Sequence, residues 1–166
     1  MRIGLDFDRV LFDTDSFDDF YKEKVEGLHH VEDPAPVKNG CYDPEMHAEL
    51  CGIPEERIWK VFEHNLSQFL YSDIELLKDL QKRHELLIVS RGHERFQRSK
   101  IEASGADRYV EKVHIVQDKS KDSVEIDLLV DDRKEELERA EVPEILLKRP
   151  EEGLKKVLEE VDDLEA

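Results

Sequence analysis

Apolar positions fall into two alternating patterns along the chain. Five short continuous runs, rich in Val, Ile and Leu, read as strands buried on both faces: Arg2 to Leu5, Leu86 to Val89, Val113 to Val116, Leu128 to Val130 and Ile145 to Leu147. Between them apolar residues recur at helical spacing. Ile74, Leu77 and Leu80 follow a Ser72-Asp73-Ile74-Glu75 capping box, Phe96 and Ile101 mark a weaker stripe, and Leu154, Val157, Leu158, Val161 and Leu164 mark a C-terminal helix. Strand alternating with helix predicts a Rossmann-like α/β core, three layers with a parallel sheet in the middle and right-handed crossovers.

The stretch from Asp15 to Leu70 breaks this alternation. Phe17, Phe20, Tyr21, Val25 and Leu28 trace one helical stripe. Ile58, Val61, Phe62, Leu66, Phe69 and Leu70 trace another, opened by Pro54 with Glu55 and Glu56 in its first turn, and a loop from Glu32 to Gly40 lies between. No strand is evident there. The division predicted is a core of residues 1–14 and 71–166 with a helical cap, 15–70, inserted after the first strand.

The strand ends carry the chemistry. The first runs out at Asp6-Phe7-Asp8, the second at Ser90-Arg91-Gly92, the third leads to Asp118-Lys119-Ser120-Lys121, and the fourth ends at Asp131-Asp132. In a parallel sheet all four groups reach one carboxyl edge, where ligands of α/β proteins bind. Two acids sharing a face stay ionised only beside positive charge. Several carboxylates suit Mg²⁺, and a hydroxyl with an ammonium suits a phosphoryl group. One Asp can attack phosphorus and another can move the proton. The ammonium is Lys119 by preference, because it directly follows its strand, with Lys121 and then Lys100 as alternatives.

Composition narrows the ligand. With 42 Asp and Glu, 25 Lys and Arg and a formal charge of −17, the chain is unsuited to nucleic-acid polymers or anionic membranes, yet a bound cation can still admit a small phosphorylated substrate. No apolar run is long enough to span a bilayer and the N-terminus leads straight into a strand, which points to the cytoplasm. Monomer and homodimer are equally open. High Glu/Lys/Arg with two Asn and four Gln resembles proteins of hot environments. Cys41 and Cys51 form no disulfide framework and are expected as buried thiols or one pair. His29, His30, His47 and the cysteines match no zinc spacing. Trp59, Tyr42 and the cap phenylalanines are expected in the core, and Lys38 in solvent.

Asp6-Phe7-Asp8-Arg9-Val10-Leu11-Phe12-Asp13-Thr14, Ser90, Lys119 and Asp131-Asp132, in that order, resemble the haloacid dehalogenase-like (HAD) superfamily. Asp127 to Arg133, with Asp118-Lys119, looks most like its deoxyribonucleotide 5′-nucleotidase branch. The resemblance implies an Mg²⁺-dependent phosphomonoesterase. Asp6 would be the nucleophile forming an aspartyl-phosphate, Asp8 the general acid and then base, Ser90 a phosphate ligand, and Lys119 the bridge between nucleophile and phosphate. Mg²⁺ would sit on Asp6, the Asp8 carbonyl, Asp131 and Asp132, with Glu136 behind them. Arg9 stands where the family usually has Gly. It and Arg91 are candidate substrate contacts whose plainer reading is surface arginine. A carboxylate at Asp8 sets the chain apart from the dehalogenases. A phosphomutase and a non-catalytic phosphate-binding domain are the alternatives.

Overall fold

The computed structural model describes residues 1–166. In chain order its elements are β1 (Arg2–Leu5), α1 (Thr14–Lys24), β2 (Val37–Lys38), β3 (Cys41–Tyr42), α2 (Pro44–Cys51), α3 (Glu56–Trp59), α4 (Leu77–Gln81), β4 (Glu85–Arg91), α5 (Glu94–Ser104), β5 (Lys112–Val116), β6 (Leu128–Asp131), α6 (Lys134–Arg139), β7 (Glu144–Leu146) and α7 (Leu154–Glu165). The five predicted strands are present and all pair in parallel, in the order β5-β4-β1-β6-β7. β1 is central, and the chain leaves it towards β4 before crossing to β6 on its other side. That reversal opens a crevice at the carboxyl end of β1.

Side chains alternate across the sheet. Ile3, Leu5, Leu86, Ile88, Leu128 and Val130 enter a 29-residue core shared with α4, α5 and α7. Leu87, Val89 and Leu129 face a smaller one with Leu137 of α6. The result is a three-layer α/β arrangement with unequal outer layers. Gly4 keeps the thin side close, since a Cβ there would stand 2.9 Å from Ile126 Cδ1 and 3.3 Å from Val89 Cγ2.

The inserted segment enters and leaves through a two-stranded neck. Asp13 N–H donates to the Phe69 carbonyl (2.6 Å) and Tyr71 N–H to that of Leu11 (3.0 Å). Phe17, Tyr21, Val25, Ala48, Ile58, Val61, Leu66 and Phe69 all belong to the larger core, so cap and sheet share one apolar interior.

Three expectations are corrected. The insertion does contain strands: β2 and β3 form a small antiparallel hairpin around Asn39-Gly40, both at positive φ (54° and 76°). Asn-Gly supports such a tight turn, a signal overlooked inside the Glu32–Gly40 loop. The stripe from Ile58 to Leu70 is not one helix. α3 gives way to 3₁₀ turns at Lys60–Glu63 and Ser67–Phe69, separated by an extended His64. The Asn65 side chain accepts from Ser67 N–H (2.9 Å) and starts the second turn, an Asx device that competes with helix. The capping box at Ser72 does not form either. The Asp73 carboxylate instead takes both terminal nitrogens of Arg149 (2.7 and 2.8 Å) and the Leu154 N–H (2.8 Å), and Ile74–Leu76 is 3₁₀. A bidentate guanidinium outcompetes a local backbone donor. Cys41 and Cys51 are unpaired and only partly buried.

Candidate active site

β1 delivers Phe7 and Asp8 into a tight turn in which the Phe7 carbonyl accepts from the N–H groups of Val10, Leu11 and Phe12. Arg9 takes φ 62° there, the strained conformation that explains why glycine would be easier at this place. From behind, Arg149 donates two bonds to the Val10 carbonyl (3.1 and 2.9 Å). The turn separates the two acids into different networks.

Asp6 belongs to the first. Lys121 Nζ donates to Asp6 Oδ1 (2.8 Å) and Asp131 Oδ2 (2.6 Å), and lies 3.7 Å from Glu136 Oε2. All four side chains are nearly inaccessible. Arg91 Nε in turn donates to both Glu136 oxygens (2.9 and 3.1 Å). Burial pushes the Asp6 carboxyl well above its usual range, with Asp131 and Asp8 adding to the shift and Lys121 opposing it. Burial also raises Asp131 against the pull of Lys121. For Lys121 burial disfavours the charge, but Asp6 and Asp131 outweigh it and the ammonium is held above its ordinary value.

Asp8 forms the second network. Thr14 Oγ1 and Lys100 Nζ both donate to its Oδ1 (2.8 Å each), and Gln97 Nε2 donates to Oδ2 (2.7 Å). Burial alone would raise its pKa. Lys100, Gln97 and Thr14 more than offset that, and the carboxyl lies below its usual range. Lys100 is buried from above by the Phe96 ring, 5.2 Å from its centroid, and by Phe7, Phe12 and Phe17 at up to 6.0 Å.

Asp6, Asp131 and Asp132 place one carboxylate oxygen each within 4.8 Å of one another. This all-oxygen donor set suits a hard cation. Charge agrees with it: only Lys121 and Arg91 form ion pairs with Asp6, Asp131 and Glu136, and Asp132 has none, so four carboxylates share two paired cations. The Asp8 carboxylate is not part of this cluster.

The lysine at the centre is Lys121, which corrects the assignment to Lys119. β5 ends at Val116 and a loop follows, so Lys119 is left exposed while a 3₁₀ turn at Lys121–Ser123 swings Lys121 inward. Ser90 is fully buried at the end of β4, and its hydroxyl accepts from Gln97 Nε2 (2.6 Å). It touches the Asp8 network and does not line the cavity. Arg9 pairs with Asp15 (2.8 Å) and Arg91 with Glu136, and both line the cavity. Gln97 escaped the sequence reading, and the role of Lys100 beside Asp8 did too. Their i,i+3 spacing was visible, but the face of α5 turned towards Asp8 was not.

Above these groups lies a cavity of about 560 Å³, closed on the far side by α1, the β2–β3 hairpin and α2. Its size suits a small metabolite. No protein-family model and no curated protein sequence matches the chain, so the comparison rests on solved structures. A candidate haloacid dehalogenase-like hydrolase of Burkholderia xenovorans superposes with a TM-score of 0.63 at 17% identity, over 92% of this chain and 83% of its own. A candidate β-phosphoglucomutase of Thermotoga maritima gives 0.53 at 19% identity, over 96% and 99%. A candidate HAD-hydrolase of Bacillus subtilis, YfnB, solved with bound magnesium, gives 0.56 at 12% identity, over 88% and 87%. The chain has the HAD-like fold. The family resemblance read from the run Asp6 to Thr14, Ser90, Lys119 and Asp131-Asp132 thus leads to the same fold as the coordinates do, although Lys119 itself is not in the site. In this HAD-like chain no helix is long and apolar enough to cross a membrane.

Proposed function

We propose that the chain is a HAD-superfamily hydrolase that cleaves small phosphomonoesters with Mg²⁺ through an aspartyl-phosphate on Asp6. The observation that carries this reading is the separation of the two acids. Asp6 shares Lys121 with Asp131 beside a three-carboxylate cluster, while Asp8 is held apart by Lys100, Gln97 and Thr14. That separation supports attack by one acid and proton transfer by the other.

Asp6, Asp131 and Asp132 would hold Mg²⁺, which when bound supplies the positive charge that draws phosphate oxygens to the site. The chain's own residues do the rest. An Asp6 oxygen attacks phosphorus as the ester P–O bond breaks, and the departing oxygen takes a proton from Asp8. A water then gives its proton to Asp8 and attacks phosphorus, the bond to Asp6 breaks, and the free carboxylate returns. Lys121 stays charged and screens Asp6 from Asp131 throughout. The donors around Asp8 favour its carboxylate, the form the second step needs, and the proton that Asp8 takes from water in that step is the one it gives to the departing oxygen of the next substrate.

Phosphate release from a panel of nucleotides, sugar phosphates and phosphoglycolate, with and without Mg²⁺, tests the proposal. Deoxynucleoside monophosphates belong in the panel because of the resemblance around Asp127 to Arg133. Mg²⁺-dependent release supports the reading. Isomerised sugar phosphate without release would support the phosphomutase instead, and no turnover of any ester would defeat both.

A further inference from the structure

The cap side of the cavity carries polar groups that the chemistry at Asp6 and Asp8 does not use. Three of them form a chain. The Tyr21 and Tyr42 hydroxyls are 2.8 Å apart, the Tyr42 hydroxyl is 2.7 Å from His47 Nδ1, and His47 Nε2 is 2.7 Å from the His29 carbonyl.

The direction of every bond in the chain follows from its far end. A carbonyl can only accept, so Nε2 carries the imidazole hydrogen. In the neutral ring Nδ1 then has only a lone pair, and Tyr42 must donate to it. The Tyr42 oxygen therefore accepts from Tyr21. Burial pushes the pKa of both phenols up, so both keep their protons. Those protons are committed within the chain, and the two hydroxyls have only lone pairs left for a ligand. Asp18, one turn before Tyr21 on α1, lines the same cavity. No hydrogen bond holds its half-buried carboxyl, which burial pushes above its usual range, with Asp8 adding to the shift and Lys100, Lys22 and Arg9 opposing it from a distance. Asp18, Tyr21 and Tyr42 thus offer acceptors to the cavity, and the donors on this side are Lys22 and His30.

We propose that the leaving group of the substrate is rich in hydrogen-bond donors, an amino- or polyhydroxy-alcohol, bound by Asp18, Tyr21 and Tyr42 as acceptors. A ligand that brings only a methyl end would strand a half-buried carboxylate without a partner, and one that brings a carboxylate would add repulsion. The inference rests on the phosphomonoesterase reading and adds the substrate class to it.

The test compares ω-aminoalkyl, ω-hydroxyalkyl, n-alkyl and ω-carboxyalkyl phosphates of two to five carbons, with p-nitrophenyl phosphate as an activity reference and Mg²⁺ present throughout. At the best chain length the amino and hydroxy esters should exceed the alkyl ester about tenfold in kcat/KM, mainly through KM, as expected for a hydrogen bond to a charged group. Asp18→Ala should bring them down to the alkyl value. The amino and hydroxy arms tell an amino alcohol from a polyol. If p-nitrophenyl phosphate is cleaved but the four series are equal, or the carboxylate series leads through Lys22 at the rim, the substrate class is overturned and the phosphatase reading stands. If no ester is cleaved, the phosphatase reading fails. Calorimetric affinities of the same esters then judge the donor preference by the same ranking.

Discussion

Asp8 and Lys100 form the pair on which the proposed proton transfer depends. Lys100→Met keeps most of the side-chain volume among the phenylalanine rings and removes the charge 2.8 Å from Asp8. Steady-state kinetics should show kcat down by about 10–100-fold with KM nearly unchanged. The limb of the pH–rate profile that requires ionised Asp8 should also move to higher pH, because Lys100 is the strongest influence lowering its pKa. A uniform loss with an unmoved profile would mean that Lys100 serves packing alone. Asp6, Asp8, Asp131 and Asp132 were legible in the sequence because each stands where an apolar strand stops, and strand ends fix position. Lys121 was not. Its place depends on the path of an irregular loop, and counting residues from the end of β5 favoured Lys119.

At the scale of elements, the β2–β3 hairpin carries Tyr42 to the cavity wall and depends on Gly40, whose φ of 76° disfavours any side chain. Gly40→Val should raise KM several-fold and also lower Tm, since a β-branched residue is strained at that φ even though no atom lies within 4 Å of the added Cβ. The clamp of Arg149 on Asp73 joins the start of α7 to the segment before α4. Asp73→Ala should cost about 1–2 kcal/mol in denaturant unfolding, discounted for the exposure of the pair. Burial would raise the Asp73 carboxyl, but Arg149 and the Leu154 N–H win and its pKa falls below the unfolded value of 3.8. Its stabilisation is therefore complete above that value and is lost as pH falls through the lower folded one. Urea midpoints at pH 7 and pH 3 should differ less for Asp73→Ala than for the parent chain. The capping box and the long cap helix failed as expectations because both were read from local spacing. The competing partners, Arg149 from 76 residues away and the Asn65 turn, lay outside the helical period.

For the molecule as a whole, cap and sheet share one apolar interior through packed phenylalanines, with Phe17 stacked on Phe62, tilted against Phe12 and edge-on to Phe69 and Phe96. Unfolding should therefore be a single transition. Trp59, the only tryptophan, reports on the cap by fluorescence, and far-ultraviolet circular dichroism reports on the whole chain. The two melting curves should coincide, and separate midpoints would show a cap that folds alone. Alternating strands and helices made the parallel sheet legible, whereas the shared interior depends on long-range packing that periodicity does not encode. The most direct test of the central claim is phosphate release from p-nitrophenyl phosphate by the parent chain and by Asp6→Asn, each with Mg²⁺. Loss of the attacking carboxylate should lower kcat by at least about 10³-fold. Unchanged Mg²⁺-dependent turnover in Asp6→Asn would contradict the nucleophile assigned to Asp6, and with it the mechanism.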